Sequence, residues 1–239
     1  MWNGVALPNV SQKPLIGRTV KRRSTPNINL PGSFALPSLP GERNITVDGI
    51  LLIPAGSNAD AVWAEFCDAL PIGVTGQLSL RYDESTYYLA QVDTMDQTTN
   101  FTWSYIGYQV SFFLADPFEY EVAAQTANLV PGAQTIVGGG NVNQAPQLQF
   151  SAVAPAGGNV VVANTTTGQT VTIYLPGDGD YVLDQRTGLV TRDGANAISD
   201  LTADSRLIEL LPQDNNVTLT ISGGPTITNP KLVWHKRRF

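Results

Sequence analysis

Hydrophobic and polar residues alternate with a period of two through most of this chain, and only one stretch switches to a helical period. The clearest alternation runs from Tyr105 to Glu121. Tyr108, Val110, Phe112 and Leu114 share one face before Asp116-Pro117-Phe118 ends the strand, since proline has no N–H to give. An isolated glycine, Gly107, predicts a bulge and a register shift at Ile106-Gly107. Arg43 to Ile53 alternates at Ile45 and Val47, passes Gly49 and runs apolar to Pro54. Gly76 to Ala90 predicts a hairpin, with Leu78, Leu80 and Tyr82 facing one way, Asp83-Glu84-Ser85-Thr86 as the turn and Tyr87 to Val92 as the return. Phe101, Trp103 and Tyr105 lead into a third pairing strand.

The helical stretch spans 58–70. Ser57 is its expected cap, Asp60 suits its first turn, and Trp63, Phe66, Cys67 and Leu70 recur at helical spacing before Pro71 and Gly73. Residues 1–41 have little periodicity and many prolines, which predicts an extended arm with one edge strand. Beyond Gly138-Gly139-Gly140 the strands become short and poor in aromatics. Gln147–Val153, Asn159–Ala163, Gln169–Leu175, Asp180–Asp184, Gly188–Arg192, Arg206–Leu211, Asn216–Ser222 and Lys231–His235 are the candidates, and their spacing argues for a sandwich. The expected organisation is an arm over 1–41, a β domain with one helix over 42–130, a linker over 131–146 and a β-sandwich over 147–239.

Composition agrees with a mainly β chain: 22 Gly and 16 Pro with only 14% charged residues among 239. The single cysteine excludes an internal disulfide, and no stretch approaches the roughly 20 apolar residues of a membrane span. With no export signal in residues 1–30, a soluble protein made in the cytoplasm is expected, and the Asn-x-Thr triplets at Asn44, Asn100, Asn164 and Asn216 read as strand and turn composition. Charge is uneven. Ten of the 14 basic residues lie in Lys13 to Arg43 and Lys231 to Arg238, while the middle is acidic and should repel nucleic acid. The basic ends are either solvated tails or docking segments for acidic neighbouring copies.

Candidate chemistry is sparse. His235, the only histidine, has no nucleophile motif beside it, and Cys67 sits on the apolar helix face. Asp178-Gly179-Asp180 begins like a calcium loop but lacks its closing glutamate, and Gly138 to Gly140 lack the strand, lysine and helix of a phosphate cradle. Asp83-Glu84 and Glu119-Glu121 could serve a glycan hydrolase as paired carboxylates, but turn and strand-end positions explain them as well. Trp63 and Trp103 fall at core positions. Trp234 alone is left as a candidate platform for stacking sugar rings. No catalytic residue, metal or cofactor is expected.

In chain order, the Ile45-Thr46-Val47-Asp48-Gly49-Ile50 strand, the lone helix, the Leu80-Arg81-Tyr82-Asp83 hairpin with Tyr88 and Ala90 on its return, the Val110 to Tyr120 strand ending Asp-Pro-Phe-x-Tyr, and a second β domain opening near Asn143-Gln144-Ala145-Pro146 resemble the distal tail protein (Dit) family of long non-contractile-tailed bacteriophages. The resemblance implies a split β-barrel-like first domain and a galectin-like second one. It also implies a virion structural protein at the tail tip, with six copies in a ring joining the tail tube to hub and receptor-binding or fibre proteins, and a channel through which DNA passes without specific binding. No membrane anchor and no enzyme activity are implied. No insertion here is long enough for an added sugar-binding module, so galectin-like describes shape rather than activity. A glycan-binding module using Trp234 and a cell-wall glycan hydrolase using Asp83 or Glu119 are the alternatives.

Overall fold

The computed structural model describes residues 1–8, 10, 15–16, 20–26, 33–40, 43–80, 83–98, 104–153 and 157–238. The chain divides into two compact units, Met1–Glu119 and Tyr120–Arg238.

In the first unit the elements are β1 (Leu15–Ile16), β2 (Val20–Pro26), β3 (Ser33–Pro40), β4 (Arg43–Leu52), α1 (Ala59–Asp68), β5 (Thr75–Leu80), β6 (Asp83–Gln97) and β7 (Tyr105–Leu114). The alternation read in β4 and β7 is realised as a continuous antiparallel ladder from Arg43↔Leu114 to Leu52↔Tyr105. Its inward face is Ile45, Val47, Leu51, Ile106, Tyr108, Val110, Phe112 and Leu114, all buried. No shift occurs at Gly107. The irregularity falls instead in β6, between Val92 and Thr94, where the long strand leaves β5 and continues along β7. β6 begins at Asp83 opposite Leu80, so the turn is tighter than the expected Asp83 to Thr86, and Thr86 is a buried strand residue.

The helix occupies Ala59–Asp68 and is capped by Asn58, whose side chain accepts the Asp60 N–H, rather than by Ser57. Ser57 gives its N–H to Pro54 O in the preceding turn, while Asn58 has the extended backbone of a cap. Phe66 reaches the Tyr108 ring at 4.8 Å, which seats the helix on the sheet. Residues 1–8 do not extend away. Trp2 is 1% exposed and lies 5.5 Å from Phe112, Asn3 bonds through main chain and side chain to Gln77, and Tyr108 Oη donates to Pro8 O at 2.7 Å. Further along the arm, β2 and β3 form a hairpin, where one edge strand had been expected.

The second unit contains β8 (Glu119–Asn128), β9 (Gly132–Val137), β10 (Gln147–Val153), β11 (Gly158–Asn164), β12 (Gln169–Leu175), β13 (Gly179–Asp184), β14 (Val190–Arg192), β15 (Ala195–Asn196), β16 (Asp214–Ser222) and β17 (Thr226–Arg238). Strands in the order β8-β17-β10-β13-β14-β15 form one sheet, and β12-β11-β16-β9 the other. Alternate residues of both sheets, such as Val160, Val162, Ile173 and Leu219 from one and Leu148, Leu183 and Leu232 from the other, share one buried cluster, which makes the unit a β-sandwich. Phe150 and Tyr181 stack across β10 and β13 at 5.1 Å.

Two sequence expectations change here. The 131–146 segment read as a linker carries β9, a strand of the second sheet, and the compact units part at Glu119/Tyr120. Pro117 does end the preceding ladder, but β8 starts two residues later with small and polar residues that show little alternation. Arg206–Leu211, expected as a strand, is none. Ile208 and Leu210 are buried in alternation, but main-chain pairing is confined to an isolated bridge between Leu210 and Gln144 and a bond from Arg206 N–H to Thr170 O, while side chains hold the other donors: Ile208 N–H by Gln185 Oε1, Glu209 N–H by Gln169 Oε1 and Leu211 N–H by Asn215 Oδ1. Amide side chains supply several of the bonds a continuous ladder would have supplied.

Candidate functional site

The Asp116-Pro117-Phe118-Glu119-Tyr120 segment is where the resemblance is most specific, and each residue has a structural task. Asp116 Oδ1 accepts the Phe118 N–H at 3.2 Å, closing a turn around buried Pro117. In the first unit, Glu119 Oε1 accepts from Thr86 Oγ1 at 2.9 Å and from Tyr88 Oη at 3.2 Å. In the second, Tyr120 is 6% exposed, and the guanidinium groups of Arg186 and Arg237 each lie over its ring, 5.8 Å from the centroid. Two positions on, Glu121 pairs with Lys236 at 3.7 Å and with Arg238. Glu119 and Glu121 thus bond to separate partners. Asp83 and Glu84 head β6, and their side chains lie outside the described residues.

The C-terminal basic run is therefore tied to its own strand neighbour. His235 Nδ1 lies 2.8 Å from Glu121 O, which requires the proton on Nδ1 and assigns the ring to the β8–β17 junction. Burial first, and then the Asp68 charge, push the Cys67 thiol upward, the opposite of what activates a cysteine nucleophile.

Gly138 to Gly140 form a packed corner. Gly138 and Gly139 donate their N–H groups to Gln213 O and Pro212 O, and a Cβ at Gly140 would lie 2.3 Å from Arg237 O. Main-chain donors used in this way do not receive a phosphate. At Asp178-Gly179-Asp180, Asp180 N–H is bound by Asp193 Oδ1 and Asp180 Oδ1 accepts from Ser151 Oγ, the bonds of a turn. No cluster of three metal-ligating side chains occurs among the described residues.

Trp234 is 6% exposed, belongs to the sandwich core and donates Nε1–H to Gly138 O at 2.8 Å. Too little of its ring is open for a sugar to stack on. It does touch the floor of an open cleft of about 510 Å³ between β8 and β9, lined also by Gln125, Asn128, Val130, Gln134 and Thr135. The Gln134 amide is spent internally, accepting from Val130 N–H and donating to Asn128 O. Trp63 packs on Phe66 as expected of a core position, and Trp103 lies outside the described residues, as does Asn100. Asn164 is fully buried, with its amide donating to Glu209 O and Asn215 Oδ1, so it offers nothing to a glycan.

Trp2 and Asn215 were not singled out by the sequence, and Gln144 and Asn164 were noted only for the Asn143–Pro146 motif and an Asn-x-Thr triplet, not as buried amides. A tryptophan ahead of a Pro-rich arm is the signal that could have marked the first. The amides have none, because asparagine and glutamine in a turn-rich chain read as loop.

No family model matches the sequence, and none of the curated proteins matches it. Solved structures do. The Dit protein (gp 19.1) of phage SPP1, described as a paradigm of the hub of the adsorption apparatus in phages infecting Gram-positive bacteria, aligns over 99% of this chain and 97% of its own with a TM-score of 0.74 at 14% identity. Chains of the phage P2 baseplate in its activated conformation align over 96% of this chain and 91% of theirs at 8% identity, with TM-scores of 0.52 for the form with Ca and 0.53 for the form with Sr. Along nearly its whole length, through both compact units, this chain has the mainly β fold of the phage Dit hub protein.

Proposed function

We propose that this chain is a structural hub subunit of a phage tail tip. The observation that carries the reading is the length of the match to the SPP1 Dit protein, which includes both units and 97% of that protein. In this reading the chain is a virion component and assembles into a ring of six copies, which joins the tail tube to the receptor-binding or fibre proteins. Its role is architectural and involves no chemical step. An acidic body supports the reading, since a channel wall with a net negative charge lets DNA pass without holding it.

Sedimentation velocity and negative-stain imaging of the purified chain test it. The expected result is a closed ring of about six subunits, alone or on adding tail proteins. A chain that stays monomeric at high concentration and gains no partner from tail proteins overturns the reading.

A further inference from the structure

Positive and negative charge are kept apart in the first compact unit. Lys13, Arg18, Lys21, Arg22 and Arg23 precede or lie on β2, whereas residues 43–119 hold ten carboxylates against Arg43 and Arg81. Among the described residues β2 and β3 pair with each other and with no third strand. A lone two-stranded hairpin is marginal in water and gains from a surface to lie on.

Helix α1 offers such a surface. Val62, Trp63 and Phe66 turn to the core, which leaves Asp60, Ala61, Ala64, Glu65 and Asp68 exposed on the outside. No lysine or arginine stands anywhere on the helix. Asp68 lies at its C-terminal end, where a carboxylate opposes the helix dipole and a cation complements it. That placement is unfavourable for the helix alone and is offset when positive charge sits against it. The two alanines keep the surface low, so a strand can approach closely.

We infer that the basic β2 strand of one copy docks on the Asp60, Glu65 and Asp68 face of α1 in the next copy around the ring. The contact is head-to-tail, and it rests on the ring reading above. A second copy is the occupant because both complementary surfaces belong to this chain, so each subunit offers one of each and the pairing repeats until it closes. Nucleic acid is the competing occupant of β2, but it leaves the acidic helix face without a role.

The test uses full-length chains carrying K21E/R22E/R23E, D60K/E65K/D68K or all six changes, followed by sedimentation velocity from about 50 mM to about 500 mM salt. Wild-type rings should weaken as salt rises. Each triple variant should raise the concentration for half-assembly by at least about tenfold at low salt, and the sixfold variant should recover wild-type assembly. D60N/E65Q/D68N, with an expected intermediate loss, replaces the reversal if circular dichroism shows that the latter unfolds. Unchanged assembly in the triple variants beside intact wild-type rings overturns this contact and leaves the hub reading standing. A wild-type chain that never leaves the monomer overturns both. If K21E/R22E/R23E abolishes retention of duplex DNA on a filter while rings still form, the strand belongs to nucleic acid and the contact is overturned.

Discussion

Gly49 lies directly opposite Tyr108 in the β4–β7 ladder, and a Cβ added to it would fall 2.3 Å from the tyrosine ring. The missing side chain lets the ring lie across β4, where its hydroxyl reaches Pro8 O and holds the N-terminal segment, and Val10 bridges to Gly49 itself. A Gly49→Ala chain should lose about 1–3 kcal/mol of stability through overpacking, measured by urea denaturation. Gly107, one residue from Tyr108 in β7, was the more conspicuous glycine in the sequence because it stands isolated there.

The same tyrosine makes the first unit sensitive to alkali. Burial, and secondarily the charge of Asp48, push its phenol up to about 12 from 10. As pH rises past 10 the unfolded chain releases this proton before the folded one does. The phenol's contribution to stability is therefore complete below pH 10 and is lost as pH climbs through about 12. Denaturation midpoints should fall over that interval, and a Tyr108→Phe chain should show a smaller fall at the cost of the bond to Pro8.

Trp2 and Trp234 should behave as core residues of different units. Each is nearly fully buried, so replacing either with Ala should cost about 3–5 kcal/mol. For Trp2 the loss should appear in the first unit together with release of residues 1–10, read by hydrogen exchange at Gln77 and Ser79, whose N–H groups bond to Asn3 and Met1. Intrinsic fluorescence should show no quenching by simple sugars in the parent chain, since Trp234 has no open ring face.

The ladder of β4 and β7 was legible from its alternating apolar residues, and the helix because Trp63, Phe66, Cys67 and Leu70 recur at helical spacing. Two segments of the second unit were not. From Ala123 onward β8 consists of Ala, Gln, Thr and Asn with no buried side chain, so burial left little trace in its pattern. Arg206–Leu211 failed in the opposite sense, since Ile208 and Leu210 alternate like a strand while its pairing shrinks to one bridge at Gln144 and side-chain amides take the neighbouring donors. At the candidate site, Asp116 to Tyr120 stood out by its order of residues, but the partners of Glu119 and Tyr120 come from Thr86, Tyr88, Arg186 and Arg237, far off in sequence. Trp234 looked available because its neighbours are basic, and it is covered because Gly138, nearly a hundred residues earlier, supplies its hydrogen-bond partner.

Asn215 should be the most costly polar residue to remove. It is fully buried, and its amide serves Leu211 through both main-chain groups and also Ile136 O, Gln213 O and Asn164. Asn215→Ala should lose about 2–4 kcal/mol, more than an average hydrogen bond, because several buried groups lose their partner together. Asn44→Ala, at an exposed position in β4, should stay within about 0.5 kcal/mol of the parent in the same thermal melts.

The glycine corner bears on how relatives diverge. A Cβ at Gly138 would lie 2.1 Å from Leu211 O, and one at Gly140 2.3 Å from Arg237 O, in both cases main-chain atoms that cannot swing aside. Val137, one residue before, is 59% exposed and open to many replacements. Mutational drift should therefore rewrite the strands around this corner while returning to glycine within it, leaving an evolutionary fingerprint of a few residues.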